Sequence, residues 1–558
     1  MRTILTTAFA VILCLTNVTG TWAAEMTAGA GIHCPTCGFE MPASFHFCGN
    51  CGTNLEKIVR EPTVAAVSTT TTTSTAEHSA GPGPLSPTAD HGAAVTSTTT
   101  ATAITTKKKF RFADLFRESG HGSALSDQPA PLQIEDFPER PKPIIEIGLS
   151  PFLGNGPIAP GYRMPTGAVW QPDFIVYGTA RTALQTFDNG TGQITEFANR
   201  LDLYGNLYLT PTERILIGFR PLDRDGLDYT GYRFDPPEQE VKSEFNAYVT
   251  TLFFQGDFGE LFPNLDPHDN KSIDFSFAIG RQSLSFQDGI MINEDVIDAI
   301  GITRVSLFYL GASAWRTTGL FAWNELNRND NRRESSAKLF GLFNSADYAT
   351  FTLDVDFAYV NAEADTGGDG TYLGVGVIRR FELINSTTRI NGSLALDHET
   401  SAVSNGVLLF QQFSTVLPDG DNFVYLDAFW GIGDYASAAR GGDRGGPLGQ
   451  TGILFAAQGL GSYGAPLGNH ANDAVGAAIG YQMFLHHKVH QLTFELGGRV
   501  QTQDPRYFAV DEPDGVGAAA RYQMKLNQHM VMVFDTFVGF ADDRDTAYGF
   551  RSELLIKF

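Results

Sequence analysis

Beyond residue 30 the 558-residue sequence has no run of 18 apolar residues. This excludes a helical membrane protein, because a spanning helix needs ~20 consecutive apolar positions. Positive charge is also scarce: 39 Lys and Arg stand against 62 Asp and Glu, a formal net charge of −23. Nucleic-acid binding asks for the opposite balance, since phosphates are neutralised by Lys and Arg. Charged residues of both signs make up only 18% of the chain, below the ~25% usual in soluble domains. Cysteine is limited to five positions, none after Cys51. No G-x-S-x-G nucleophile elbow occurs. The His486-His487-Lys488-Val489-His490 run has no converging carboxylates. No catalytic residue is therefore assigned, and the chain is expected not to be an enzyme. Glycine (59) and phenylalanine (42) are plentiful, which leaves a soluble β-rich protein or a β-barrel.

The charge is unevenly placed. Residues 1–110 carry six basic and six acidic side chains, so the whole excess lies in 111–558. The start reads as an export signal over residues 1–23. Arg2 is cationic, Leu5 to Leu15 is apolar, and Thr21 and Ala23 are small residues before a cleavage point. An exported chain of this kind is expected in the bacterial envelope.

After the signal, Cys34, Cys37, Cys48 and Cys51 form two C-x-x-C knuckles. Each knuckle lets two thiolates reach one ion, and two such pairs close a tetrahedral four-thiolate site. Two disulfides are the rival in an oxidising compartment. With Pro35, Phe47 and Leu55, residues 31–56 resemble the short zinc-ribbon family. The resemblance implies a structural zinc with no open position for chemistry, in a module that presents a surface to a periplasmic partner. Residues 60–143 follow as a linker. Fifteen of the 44 residues from Thr63 to Thr106 are threonine, with no apolar periodicity, so no packed core is expected there.

From residue 174 the hydrophobic period becomes two. Leu201, Leu203, Leu207 and Leu209 alternate with Asp202, Tyr204, Asn206 and Tyr208, and Phe351 to Tyr359 repeats the pattern. Segments of nine to eleven such residues are long enough, when tilted, to cross a bilayer. The fold class expected for 144–558 is all-β: a transmembrane antiparallel β-barrel of 16–18 strands. Eighteen strands are read, including 272–282, 302–310 and 549–558. The last strand ends in a terminal Phe558, and this resembles the recognition signal of bacterial outer-membrane barrels. The resemblance implies an outer-membrane protein of a Gram-negative cell, contacts with membrane lipid, and insertion by the barrel-assembly machinery. The N-terminal domain is then in the periplasm.

Strand parity turns Asp202, Tyr204, Arg214, Arg220, Asp274, Asp354, Asp356, Arg389, Asp397, Glu495, Arg499 and Arg551 toward the lumen. Parity sends Arg281 outward. Two connections stand out. Residues 280–301 carry Asp288, Glu294, Asp295 and Asp298 among apolar residues, and resemble the Gly-Arg-Gln…Asp-Gly segment of alginate-export-type porins. They are read as a loop, 283–301, expected to fold inward and narrow the pore. Residues 431–473 hold 12 glycines and are too long for an idle connection, so they cap or plug the pore or bind a partner outside.

The function expected is a porin for facilitated diffusion of small hydrophilic solutes, sugars or acidic oligosaccharides among them. The alternative is a barrel scaffold that docks a periplasmic or electron-transfer partner without an open pore. For the knuckles the expected result is about one zinc per chain by metal analysis, lost on replacing Cys34 by Ser, because ribbons of this size fold on their metal.

Overall fold

The computed structural model describes residues 32–33, 40–41, 142–148 and 161–558, save short stretches at 191, 224–228, 236–239, 269–272, 365–366, 418–419, 442–443, 450, 457–459, 487, 505, 508–511, 513 and 543. The chain divides into two units at Lys108 and Lys109. In the first, Ile32–His33 pairs antiparallel with Glu40–Met41, a short ladder either side of the first knuckle in sequence. The four cysteines and the 1–23 signal lie outside the described residues, as does the linker up to residue 141.

The second unit is a closed antiparallel barrel of 18 strands. In chain order they are β1 Asp173–Asp188, β2 Gln193–Tyr208, β3 Arg214–Phe219, β4 Val249–Asp257, β5 Ser276–Phe286 and β6 Ile292–Leu307. Then come β7 Ala314–Asn324, β8 Lys338–Asp347, β9 Phe351–Asn361, β10 Gly370–Phe381, β11 Ile384–Ala395 and β12 Gly406–Val416. The last six are β13 Phe423–Gly433, β14 Ala474–Leu485, β15 His490–Gln501, β16 Gly515–Lys525, β17 Met530–Ala541 and β18 Ala547–Lys557. Each strand pairs with its sequence neighbour, and β18 closes on β1 with Lys557 opposite Thr179 and Tyr548 opposite Asp188. Closure leaves no free edge, so the backbone groups of the wall bond to one another.

The seam carries an addition. Gly178 and Phe558 exchange both backbone bonds, at 2.8 and 3.1 Å. Ile145–Ile147 then takes over the ladder on β1, with Ile145 opposite Val176. The period-two pattern explains the walls. Phe357, Leu373, Ile390, Leu496 and Phe550 point outward and stay exposed, while Asp356, Asn391, Glu495 and Arg551 point inward.

Two strands depart from the sequence reading. The strands expected at 272–282 and 302–310 are Ser276–Phe286 and Ile292–Leu307, and the loop expected at 283–301 is a turn of residues 287–291. The cause is local. Gln287, Asp288 and Gly289 all take positive φ (56°, 53° and 79°), and Asp-Gly is the dipeptide that such a hairpin turn favours. Asp274 and Asp397, expected on lumen faces, fall outside the strands and are exposed. Asp397 instead accepts the Asp369 amide at 3.1 Å.

The buried core is not between two layers but inside the barrel. An 18-stranded wall is too wide for its own side chains to fill. The 40-residue connection from residue 434 to 473 enters the lumen. Leu448, Leu454, Phe455, Tyr463 and Leu467 from it pack on Phe187, Phe429, Ala478 and Phe537 of the wall. Where β13 leaves the wall, a Cβ on Gly431 would lie 1.5 Å from the Ala471 carbonyl oxygen, whereas one on Gly319 meets nothing within 4 Å. Gly431→Ala is expected to cost about 1–3 kcal/mol by overpacking, and Gly319→Ala to stay within ~0.5 kcal/mol of wild type. Denaturant unfolding of the refolded barrel in detergent micelles measures both.

Candidate functional site

Two segments narrow the lumen, and the strand registers show how. β5 pairs with β4 only as far as Arg281 opposite Leu252. β6 pairs with β7 only from Asp298 opposite Asn324 onward. Between these points β5 and β6 have no barrel neighbour but each other, from Gln282 opposite Ile297 to Phe286 opposite Ile292. This hairpin therefore leaves the wall and leans across the inner face. Its Phe286 ring stacks on Phe343 of β8 at 3.5 Å. Its tip reaches β9 and β11: the Gln287 amide donates to Asp356 at 2.7 Å, and Arg389 donates to Asp288 at 2.8 Å and to Asp354.

The predicted acidic residues of this segment separate. Asp288 sits at the tip against Arg389, and Asp295 faces Arg220 at 3.4 Å. Glu294 is buried and accepts from the Asn327 backbone and side-chain amides at 3.0 and 2.8 Å. Asp298 does not face the pore. It stands on the outer face with Arg281 (2.9 Å) and Asn324 (2.8 Å), and Arg281 also reaches Glu325 at 3.3 Å. A barrel rung opposite Arg281 fixes Asp298 on the outward parity.

The second segment is the 434–473 connection. An irregular chain buried in a barrel brings backbone N–H and C=O groups that no ladder satisfies, and each must find a partner. Here wall and loop carboxylates supply acceptors. Glu495 of β15 takes the amides of Ile453 (2.9 Å) and Leu454 (2.7 Å). Glu196 of β2 takes Ser462 N–H and the Gln185 amide. Glu512 takes Asn469 N–H at 3.0 Å and a His470 ring nitrogen at 2.9 Å. Arg499 satisfies carbonyls instead, donating to Leu467 and His470 at 3.1 Å each while paired with Glu512. Ile292 and Asn293 of the hairpin pair in parallel with Ala439 and Arg440, so the two inserted segments support each other.

The predicted lumen residues therefore fall into groups. Asp202 and Arg220 meet at 3.1 Å, and Asp354, Asp356 and Arg389 meet at the hairpin tip. Arg214 bonds Gln255 at 2.8 Å, and Tyr204 stacks on Tyr177 at 5.5 Å between ring centres. Glu495, Arg499 and Arg551 were expected to line water but are buried by the inserted loop. Strand parity does not reveal this, because the covering segment comes from another part of the chain. Five residues were missed: Arg181, Glu196, Glu512, Arg521 and Asp535. Arg181 pairs with Glu553 (2.6 Å) and Arg521 with Asp535, all on inward parity that alternation marks. Glu196 was legible by the same rule. Glu512 was not, since it lies in a connection. The open polar surface that remains runs past Arg181, Arg200 and Arg521, each backed by a carboxylate.

Comparison with known proteins returns a fold likeness. No family model matches the chain, and no curated protein matches it. Among solved structures it is similar to OccK5 (OpdH) of Pseudomonas aeruginosa, with 10% identity, a TM-score of 0.46, and 69% of this chain and 98% of that one covered. OccK8 (OprE) of the same organism gives 9% identity, a TM-score of 0.47, and the same shares. Wzi of Escherichia coli, described as an outer-membrane carbohydrate-binding β-barrel involved in group 1 capsule assembly, gives 10% identity and a TM-score of 0.41 over 68% of this chain and 84% of that one.

Glu512 makes the inserted loop acid-sensitive. Burial alone would raise its pKa, but Arg499 and then His470 outweigh it and hold the carboxyl down to about 2. The folded value lies below the unfolded one of ~4.3. Its stabilisation is thus complete above pH ~4.3 and is lost as pH falls toward 2. Hydrogen-exchange protection at Asn469 and His470 is expected to fall across that window. Glu512→Gln is expected to lower it already at pH 7.

Proposed function

We propose that the chain is an outer-membrane channel of porin type, whose pore is narrowed by its own inserted segments. One observation carries this reading. Around a closed 18-stranded barrel the exposed outer face is apolar (Ile302, Phe340, Phe357, Leu373, Ile479, Leu496), while the inner face bears charge pairs. A lipid-facing wall with a polar interior is what a membrane barrel requires. Phe308, Tyr309, Trp430 and Tyr548 are exposed toward strand ends, where aromatic girdles belong.

Placing Phe558 in the periplasm puts the 434–473 connection on the extracellular side. It also puts Ile144–Ile147 on the periplasmic rim, in keeping with a periplasmic N-terminal module. In this reading Cys34, Cys37, Cys48 and Cys51 hold one structural zinc, and the ribbon meets a periplasmic protein. Phe558 presents the terminal strand to the assembly machinery. Small polar solutes diffuse past Arg181, Arg200, Arg521 and their carboxylates, with no cofactor consumed. The hairpin carrying Asp288 and Asp295 forms one constriction, and the inserted loop the other. Asp202, Tyr204, Arg214, Arg220, Asp354, Asp356 and Arg389 line the path, whereas Glu495, Arg499 and Arg551 anchor the loop. The burial of that loop is the single feature on the side of a closed scaffold.

Planar-bilayer recording separates the two. The folded protein is expected to conduct, and removal of residues 444–467 to raise conductance several-fold. A silent wild type with a conducting deletion variant would mean a plugged barrel. On the outer wall, Phe357→Arg is expected to cost about 2–4 kcal/mol in lipid vesicles if it lies near the bilayer midplane. The same change in micelles, read by urea unfolding, is the comparison.

A further inference from the structure

We propose that a recess in the lumen wall, on the chain-end side of the inserted loop, binds uncharged saccharides. The proposal rests on the channel reading for how solutes arrive, and names the class of solute held.

The recess has a volume of about 250 Å³ and is walled by β12 to β16. Four glutamines open into it: Gln412, Gln482, Gln491 and Gln523. The registers make them one contiguous patch. Gln491 stands opposite Gln523, Gln482 opposite Thr493, and Phe423 opposite Gln482. Strands ~4.8 Å apart place these amides at about the breadth of one sugar ring. The Gln412 amide is used within the protein, donating to Asp427 at 2.7 Å. Among the described residues, Gln482, Gln491 and Gln523 have no side-chain hydrogen-bond partner. Each therefore brings two donors and one acceptor oxygen to whatever enters. Such paired donor and acceptor groups suit neighbouring hydroxyls, which need both at once.

Charge does not dominate the recess. Asp427 is engaged by Gln412, and Arg521 by Asp535. A free anion would face Asp427, and a free cation Arg521, so a polar uncharged guest is preferred on both counts. The Phe423 and Tyr425 rings, 6.1 Å apart and tilted by 36°, give apolar faces for the C–H side of a pyranose. Gly452 and Ile453 of the inserted loop close the far side. The Ile453 amide is the one held by Glu495, which also accepts from the Tyr425 hydroxyl. A sugar in the recess therefore rests on the point where the loop is anchored to the wall.

The test uses the full-length folded chain. Calorimetry in micelles and bilayer recording are run with maltose and maltotriose, and with glucuronate as the charged comparison. Saturable maltotriose binding is expected, at least tenfold tighter than glucuronate. Where the barrel conducts, discrete current blockades are expected with the same preference. Gln491→Leu and Gln523→Leu should each weaken maltotriose binding several-fold, and Gln523→Asn should weaken it less. Gln411→Leu, on the outer face, should leave it unchanged. Heat-modified migration reports that each variant is folded. A silent barrel that still binds maltotriose through Gln491 and Gln523 ends the channel reading and supports the recess. A conducting barrel without sugar binding, or with glucuronate bound as tightly, overturns the recess alone. Loss of binding in Gln411→Leu as large as in Gln491→Leu also overturns it.

Discussion

The structure depends on one requirement: every backbone N–H and C=O removed from water must be bonded. Closing β1 on β18 meets it for the wall. Closure at 18 strands then creates a second demand, since the interior is too wide to be filled by wall side chains. The chain fills part of it with a loop that has no ladder of its own. Glu196, Glu495 and Glu512 supply the acceptors that a neighbouring strand would otherwise supply. A buried carboxylate is costly by itself. Here each accepts from two or more donors, so desolvation is offset by charge-assisted bonds of the stronger kind.

This explains why the interior is divided by height. Toward the end where the loop enters, the lumen is apolar and packed, with alanines on the wall at Ala474, Ala478, Ala519 and Ala547 making room. Toward the chain end β14 carries Gln482 and β16 carries Arg521 and Gln523, with Gln491 on β15 between them. One strand thus serves as core at one end and as solvent-facing wall at the other, on the same parity. The small residues mark where the apolar part of the loop is packed against them.

The wall was largely legible in the sequence. Period-two alternation marked the wall strands except for the shifted pair at Ser276–Phe286 and Ile292–Leu307, because each strand alternates apolar outward and polar inward residues. The failures have a common cause. The hairpin at 287–291 was hidden because its strands bend inward and lose the outward apolar face, so Ile290, Met291 and Ile292 run consecutively and are all buried. The anchoring role of Glu495, Arg499 and Arg551 was hidden because alternation reports which side a residue faces, not what covers it. Glu512 lies in a connection, where no period exists to read. Long-range contacts between irregular segments have no local signature.

The seam has a mechanical consequence. Ile144–Ile147 is held to β1 by a ladder of only three residue pairs, beyond the rung where Gly178 meets Phe558. Tension along the preceding chain is taken first by this short ladder, which can peel away pair by pair. The barrel rungs from Lys557 to Tyr548 are a separate ladder, ten pairs long, and yield only after the short one has opened. The segment acts as a slack reserve: a tug on the N-terminal side is met first by lengthening of the tether, before any barrel rung is loaded.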